Sequence, residues 1–111
     1  MSEPASHPFF DLHTHGFVRV ATSTPRVRTA DVPFNTAAIL AEARRAHEQR
    51  VDLVLYPELC LSAYAIDDLH LQAALLDAVE AAVGEIVAAS ANLDPAIVIG
   101  APLRRNGRVY N

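Results

Sequence analysis

The chain has 111 residues, 51% of them hydrophobic, 20% charged and 6% aromatic, with a net charge of −4. That composition is too apolar and too weakly charged for a disordered segment, and too acidic for a nucleic-acid footprint, which needs a basic face. A single cysteine excludes a disulfide framework or cysteine-cluster metal site, no apolar run approaches the ~18 residues of a membrane span, and the polar start Met1-Ser2-Glu3-Pro4 does not read as a secretory signal.

One small domain fits this length, and the expected setting is cytoplasmic, with no membrane or nucleic-acid partner. All nine basic residues are arginine, so the chain offers neither a lysine base nor a Schiff-base amine. Alanine is abundant at 20 residues and glycine scarce at four, which favours long helices over an all-β fold.

Residues 1–15, interrupted by Pro4 and Pro8, read as an irregular arm, and 16–111 as the body of the domain. Residues 16–24 alternate apolar and polar side chains and are rich in β-branched residues, which predicts a strand ended by Pro25. A connection over 25–34 leads to a helix over 35–50, capped by Asn35 or Thr36, with Ile39, Ala43 and Ala46 on its apolar face. Residues 51–56 are an apolar run typical of a buried strand, stopped by Pro57. A second helical region covers 67–91, broken near Gln72, with Asp67 and Asp68 favourable at its start. Leu71, Leu75, Val79, Ala82, Ile86 and Ala89 form its stripe. After the Asp94-Pro95 turn, residues 96–101 read as another buried strand. Asn106-Gly107 predicts a type I′ hairpin turn, since both positions must take positive φ. The order β-α-β-α-β-β would leave a hairpin edge open, so the chain reads as the N-terminal piece of a larger α/β domain.

The chemistry concentrates at residues 53–64, Leu-Val-Leu-Tyr-Pro-Glu-Leu-Cys-Leu-Ser-Ala-Tyr. Glu58 stands just beyond the C-terminal end of an apolar strand, where α/β sheets bind ligands. Burial there would raise its pKa and suit it to general-base work. The alternative is a helix-capping or salt-bridged glutamate in a loop.

Tyr56-Pro57-Glu58-Leu59-Cys60-Leu61-Ser62-Ala63-Tyr64 resembles the first catalytic motif of the carbon–nitrogen hydrolase (nitrilase) superfamily, Phe-Pro-Glu-Leu-x-Leu-x-Gly-Tyr. With His15-Gly16-Phe17-Val18-Arg19-Val20-Ala21, Ile66-Asp67-Asp68-Leu69 and Gly100-Ala101-Pro102-Leu103 before Tyr110-Asn111, the chain resembles the start of the glutaminase domain of bacterial glutamine-dependent NAD synthetases. The resemblance implies a partial four-layer α-β-β-α sandwich. It implies a Glu–Lys–Cys triad in which Glu58 is the general base, a cysteine attacks the glutamine amide and a lysine stabilises the oxyanion. Tyr64 matches a position near the glutamine pocket. Ammonia would pass to a synthetase domain that uses ATP and Mg²⁺ to amidate nicotinic acid adenine dinucleotide, in a protein expected to be a homo-oligomer. No cofactor is expected in these residues, and the triad lysine and cysteine are expected beyond Asn111, so the chain alone is expected to be inactive and unstable. The alternatives are another carbon–nitrogen hydrolase acting on a free amide or nitrile, and a non-catalytic truncated chain. Ala63 and Arg50 stand where the family favours glycine. Arg50 would be strained if its position needs left-handed φ.

Two further features compete with Glu58. Cys60 lies two residues away and would face the same side in an extended segment, although a lone cysteine is more often a small buried hydrophobe. Asp11-Leu12-His13-Thr14-His15 resembles the first ligand block of metal-dependent hydrolases, a metallohydrolase alternative through Asp11, His13 and His15. The competing expectation is an arm that packs Phe9, Phe10 and Phe17 on a neighbour, with histidines at the surface. Arg26, Arg28, Arg104, Arg105 and Arg108 could bind phosphate but fit surface pairing with acids better.

Overall fold

Three short strands, Val20–Thr22 (β1), Leu53–Leu55 (β2) and Ala96–Val98 (β3), form a parallel sheet in order β1-β2-β3 in the computed structural model, which describes residues 7–111. Residues 1–6 of the expected arm lie outside the described residues. The register runs Ala21↔Val54↔Ile97 across the middle row, with Val20↔Leu53↔Ala96 and Thr22↔Leu55↔Val98 on either side. Each parallel connection is a helix, Val32–Glu48 (α1) and Ala73–Ser90 (α2). The two helices pack on each other and on one face of the sheet, as crossovers of one hand require.

That face carries the core. Val54 is fully buried against Ile39, Leu40, Val79 and Ile86, and Ala21 and Ile97 pack at its margins. The Tyr56 hydroxyl donates to the Ile39 carbonyl at 2.9 Å, tying the end of β2 to the middle of α1. Burial withholds water from the phenolate and pushes the Tyr56 phenol up to about 12. The other face is open: Val20, Leu55 and Val98 are 64%, 45% and 43% exposed. The expectation of fully buried strands over 51–56 and 96–101 is therefore corrected, because helices cover only one face and the period-2 alternation sends every second side chain to the other. Among the described residues there is one helical layer and its sheet, two of the four layers expected.

Local chemistry explains the remaining differences. The first strand is three residues long, and before it Gly16, at φ 80°, closes a 3-10 turn over Leu12–His15, preceded by another over Pro8–Phe10. The described part of the arm is thus locally ordered. Helix α1 starts earlier than expected. Asp31, not Asn35 or Thr36, is its cap, accepting from the Phe34 N–H, and Pro33 fits the first turn, where no intrahelical donor is needed. The second helical region breaks at Gln72 as expected, with a 3-10 turn over Asp67–Leu71 before α2. Leu71 leaves the predicted stripe because that turn rotates it outward, to 79% exposure, whereas Leu75, Val79, Ala82 and Ile86 are buried. Leu103–Arg105 (β4) and Arg108–Tyr110 (β5) pair antiparallel around Asn106 and Gly107, at φ 50° and 74°, as a type I′ turn demands.

Candidate active site

Beyond β2 the chain enters a tight loop over residues 56–66 that is pinned from three sides. The Tyr56 N–H donates to the Val98 carbonyl of β3 at 2.9 Å. The Leu61 N–H reaches the Gly100 carbonyl at 3.4 Å, and the Ala30 N–H reaches the Ser62 carbonyl at 2.8 Å. Asn35, completely buried in the first turn of α1, joins these pieces. Its side-chain amide donates to the Arg28 carbonyl at 2.9 Å and the Leu61 carbonyl at 3.0 Å, and its Oδ1 accepts from the Arg28 N–H at 2.7 Å. Two backbone groups that would otherwise be orphaned, the Arg28 N–H and the Leu61 carbonyl, are satisfied by one side chain, while the Arg28 carbonyl also accepts the Asp31 N–H at 3.2 Å.

Glu58 sits in this loop at the C-terminal end of the central strand. The adjoining Leu59 is held at φ 54° and Ala63 at φ 63°. Neither is glycine, so each position carries backbone strain that the surrounding contacts must hold, a feature that clusters at functional loops. The Ala63 departure from the family's glycine falls on a left-handed position, and so does Arg50, at φ 57°. Gly100 lies directly beneath Glu58. A Cβ there would come within 2.4 Å of the Leu59 nitrogen and 2.9 Å of the Glu58 Cα, so backbone meets backbone with no room for a side chain. In the sequence Gly100 stands only within the family resemblance, and Asn35 only as a candidate helix cap. A glycine at a strand end opposite Pro57-Glu58, in a chain with only four, was the available signal for Gly100; burial of Asn35 left none.

The carboxylate itself is exposed, and the Asn111 side-chain amide, presented by the β4–β5 hairpin, donates to its Oε1. The expected burial of Glu58 is thus absent among these residues: its side chain sits exposed on a rim. Beside Asn111 lies a cleft of about 210 Å³ lined by His70, Pro102, Val109 and Tyr110. Tyr64 is 70% exposed.

Cys60 does not pair with Glu58. The turn at Leu59 sends it inward, where it is 2% exposed and its thiol donates to the Gly100 carbonyl at 3.5 Å; burial pushes that thiol up, away from a reactive thiolate. Asp11, His13 and His15 stand at the opposite end of the sheet. His15 Nε2 is 2.8 Å from the Phe9 carbonyl, turned away from His13. His13 holds two carboxylates, Asp11 through Nδ1 at 3.0 Å and Asp52 through Nε2 at 2.8 Å, and Asp52 also accepts the Arg19 N–H at 2.6 Å. Those hydrogen bonds raise the His13 imidazole, and they lower Asp11 and Asp52. Among the described residues no group of three or more His, Cys, Asp or Glu could hold a metal. The geometry is that of a clasp tying the arm to the root of β2, with His13 engaged on both ring nitrogens and His15 engaged elsewhere. Phe9, Phe10 and Phe17 are largely exposed. His47 pairs with Asp94 at 3.3 Å, while Arg28 pairs with Asp31 and Arg104 with Asp77, in keeping with surface pairing.

Residues 19–111 match the carbon-nitrogen hydrolase family. Over 103 residues the chain is 47% identical to a glutamine-dependent NAD(+) synthetase of Mycobacterium tuberculosis and 48% identical to one of Mycobacterium leprae. These matches cover 93% of this chain but 15% of each relative. A crystal structure of a glutamine-dependent NAD(+) synthetase from Cytophaga hutchinsonii superposes with a TM-score of 0.78 at 26% identity, covering 85% of this chain and 16% of that one. The strand–helix order and the open sheet face are thus those of a partial nitrilase-type sandwich.

Proposed function

The chain belongs to the carbon-nitrogen hydrolase family, and from that membership we propose that Glu58 is the general base of a glutaminase site that supplies ammonia for NAD synthesis. The observation that carries this reading is the placement of Glu58: one carboxylate at the C-terminal end of the central strand, on a strained loop fixed by Asn35 and Gly100. The names of the relatives supply the substrate, glutamine, and the product, NAD(+).

Glu58 takes the proton of an attacking cysteine thiol, returns it to the departing ammonia, and then takes a proton from the water that hydrolyses the thioester. A lysine stabilises the oxyanion of each tetrahedral intermediate. This chain has no lysine, and its one cysteine is buried, so it contributes the base and neither partner. Alone it does not hydrolyse glutamine, because deprotonating water without a nucleophile or oxyanion donor is a far weaker route. Tyr64, exposed on the same loop, borders the glutamine pocket in this reading.

Released ammonia passes to a synthetase part that uses ATP and Mg²⁺ to activate nicotinic acid adenine dinucleotide, within a cytoplasmic homo-oligomer. This reading assigns ATP to that synthetase part, since the four glycines here, at 16, 84, 100 and 107, are scattered and form no phosphate-cradling loop.

The test is a chimera in which this chain replaces the matching stretch of the Mycobacterium tuberculosis relative. Glu58→Gln abolishes glutamine-dependent NAD formation and leaves ammonia-dependent formation intact. Equal loss of both activities, or loss of neither, refutes the reading.

A further inference from the structure

The β4–β5 hairpin lies outside the three-stranded sheet, yet it is firmly rooted. It begins at Leu103, immediately after buried Pro102 and three residues after Gly100, which lies against the Glu58 backbone, and Arg104 is bridged to Asp77 of α2. The type I′ turn fixes the return strand in a single register, Leu103↔Tyr110. The residue after that pair is Asn111, and its side-chain amide donates to Oε1 of Glu58. An ionised carboxylate only accepts hydrogen bonds, so the amide must turn its nitrogen toward Glu58.

We propose that Asn111 is a positioning residue: it engages Oε1 of Glu58, selects one rotamer of the carboxylate, and leaves Oε2 free to take the proton. This rests on the reading of Glu58 as general base. Glu58 is exposed and has three side-chain torsions, so without a partner its carboxylate would spread over many rotamers at the rim. A donor delivered from a separately anchored hairpin restricts it without removing its charge. The strained loop sets where the Glu58 backbone stands, and Asn111 sets where its oxygens point.

The experiment uses the same chimera, with glutamine-dependent turnover normalised to ammonia-dependent turnover in each preparation so that folded enzyme is counted. Asn111→Ala is expected to lower the glutamine-dependent kcat by about tenfold or more, the size of one hydrogen bond to a charged group, with KM unchanged. Asn111→Asp, equal in size but without a donor, is expected to lose at least as much. In a Glu58→Asp background, whose shortened carboxylate cannot meet the amide, Asn111→Ala is expected to cost nothing further. Full activity in Asn111→Ala or Asn111→Asp, or the same loss in both backgrounds, overturns the proposal while leaving Glu58 as the base. Glutamine-dependent activity surviving Glu58→Gln overturns the reading of Glu58 and this proposal with it.

Discussion

Replacing Gly100 by alanine adds one methyl group at the point where the segment following β3 passes under the candidate base. The added Cβ would lie 2.4 Å from the Leu59 nitrogen and 2.9 Å from both the Glu58 carbonyl carbon and its Cα. All three are backbone atoms, so no side chain can swing aside and the loop must lift by about an ångström to reach ordinary van der Waals separation. Overpacking of this kind costs about 1–3 kcal/mol, and at about 4–8 °C per kcal/mol the melting temperature of a domain this size falls by roughly 4–24 °C. The same shift misplaces Glu58, and a displacement near 1 Å at a reacting group costs on the order of 10²-fold in rate. Gly84 provides the matched control. It is in the middle of α2, exposed, with nothing within 4 Å of an added Cβ. There the same substitution relieves a helix-interior glycine and is expected to stabilise by about 0.5–1 kcal/mol. Thermal melts and glutamine-dependent turnover of the two chimeric variants, side by side, decide the matter. If Gly100→Ala melts and turns over like Gly84→Ala, the close approach of the segment following β3 to the Glu58 loop does not support the site.

The His13 clasp makes the attachment of residues 7–16 depend on pH. The imidazole is raised by its bonds to Asp52 and Asp11, so its contribution is complete below the unfolded histidine value near 6.5 and is lost as pH rises through the raised folded value. Asp11 and Asp52 are lowered, so theirs is complete above about 3.9 and is lost as pH falls through the lowered values. Attachment is therefore strongest between about pH 4 and 6.5, and the His13 ring, followed by NMR, titrates above a free histidine; an unshifted midpoint, or one unchanged by Asp52→Asn, refutes the clasp. Asn35→Ala orphans the Arg28 N–H and the Leu61 carbonyl, and is expected to destabilise by roughly 2–4 kcal/mol in urea unfolding, whereas a loss under about 0.5 kcal/mol would mean that water replaces the amide.

Period and turn chemistry made much of this molecule readable in advance. The Asn106-Gly107 turn was legible because its φ requirement is local. The β-α-β-α-β-β order follows from apolar runs and punctuation that each segment carries in itself. Glu58 stood out because a carboxylate behind Pro57 at the end of an apolar strand is anomalous within the sequence alone. What tertiary structure decided depends on which segments meet. Asn35 looked like a helix cap, the commonest use of asparagine at that spot, and became a buried bridge because Arg28 and Leu61 converge on it. Asp11 and His13 had metal-ligand spacing, but Asp52, 39 residues beyond His13, closes them into an ion-paired clasp instead. Leu53, Leu55 and Val98 were read as buried from their apolarity, yet hydrophobicity says only that a side chain prefers to be covered, and the helices that cover this sheet lie on its other face. The contact of Asn111 with Glu58 joins residues 53 positions apart, and no window along the chain contains both a turn that aims an amide and the carboxylate it meets.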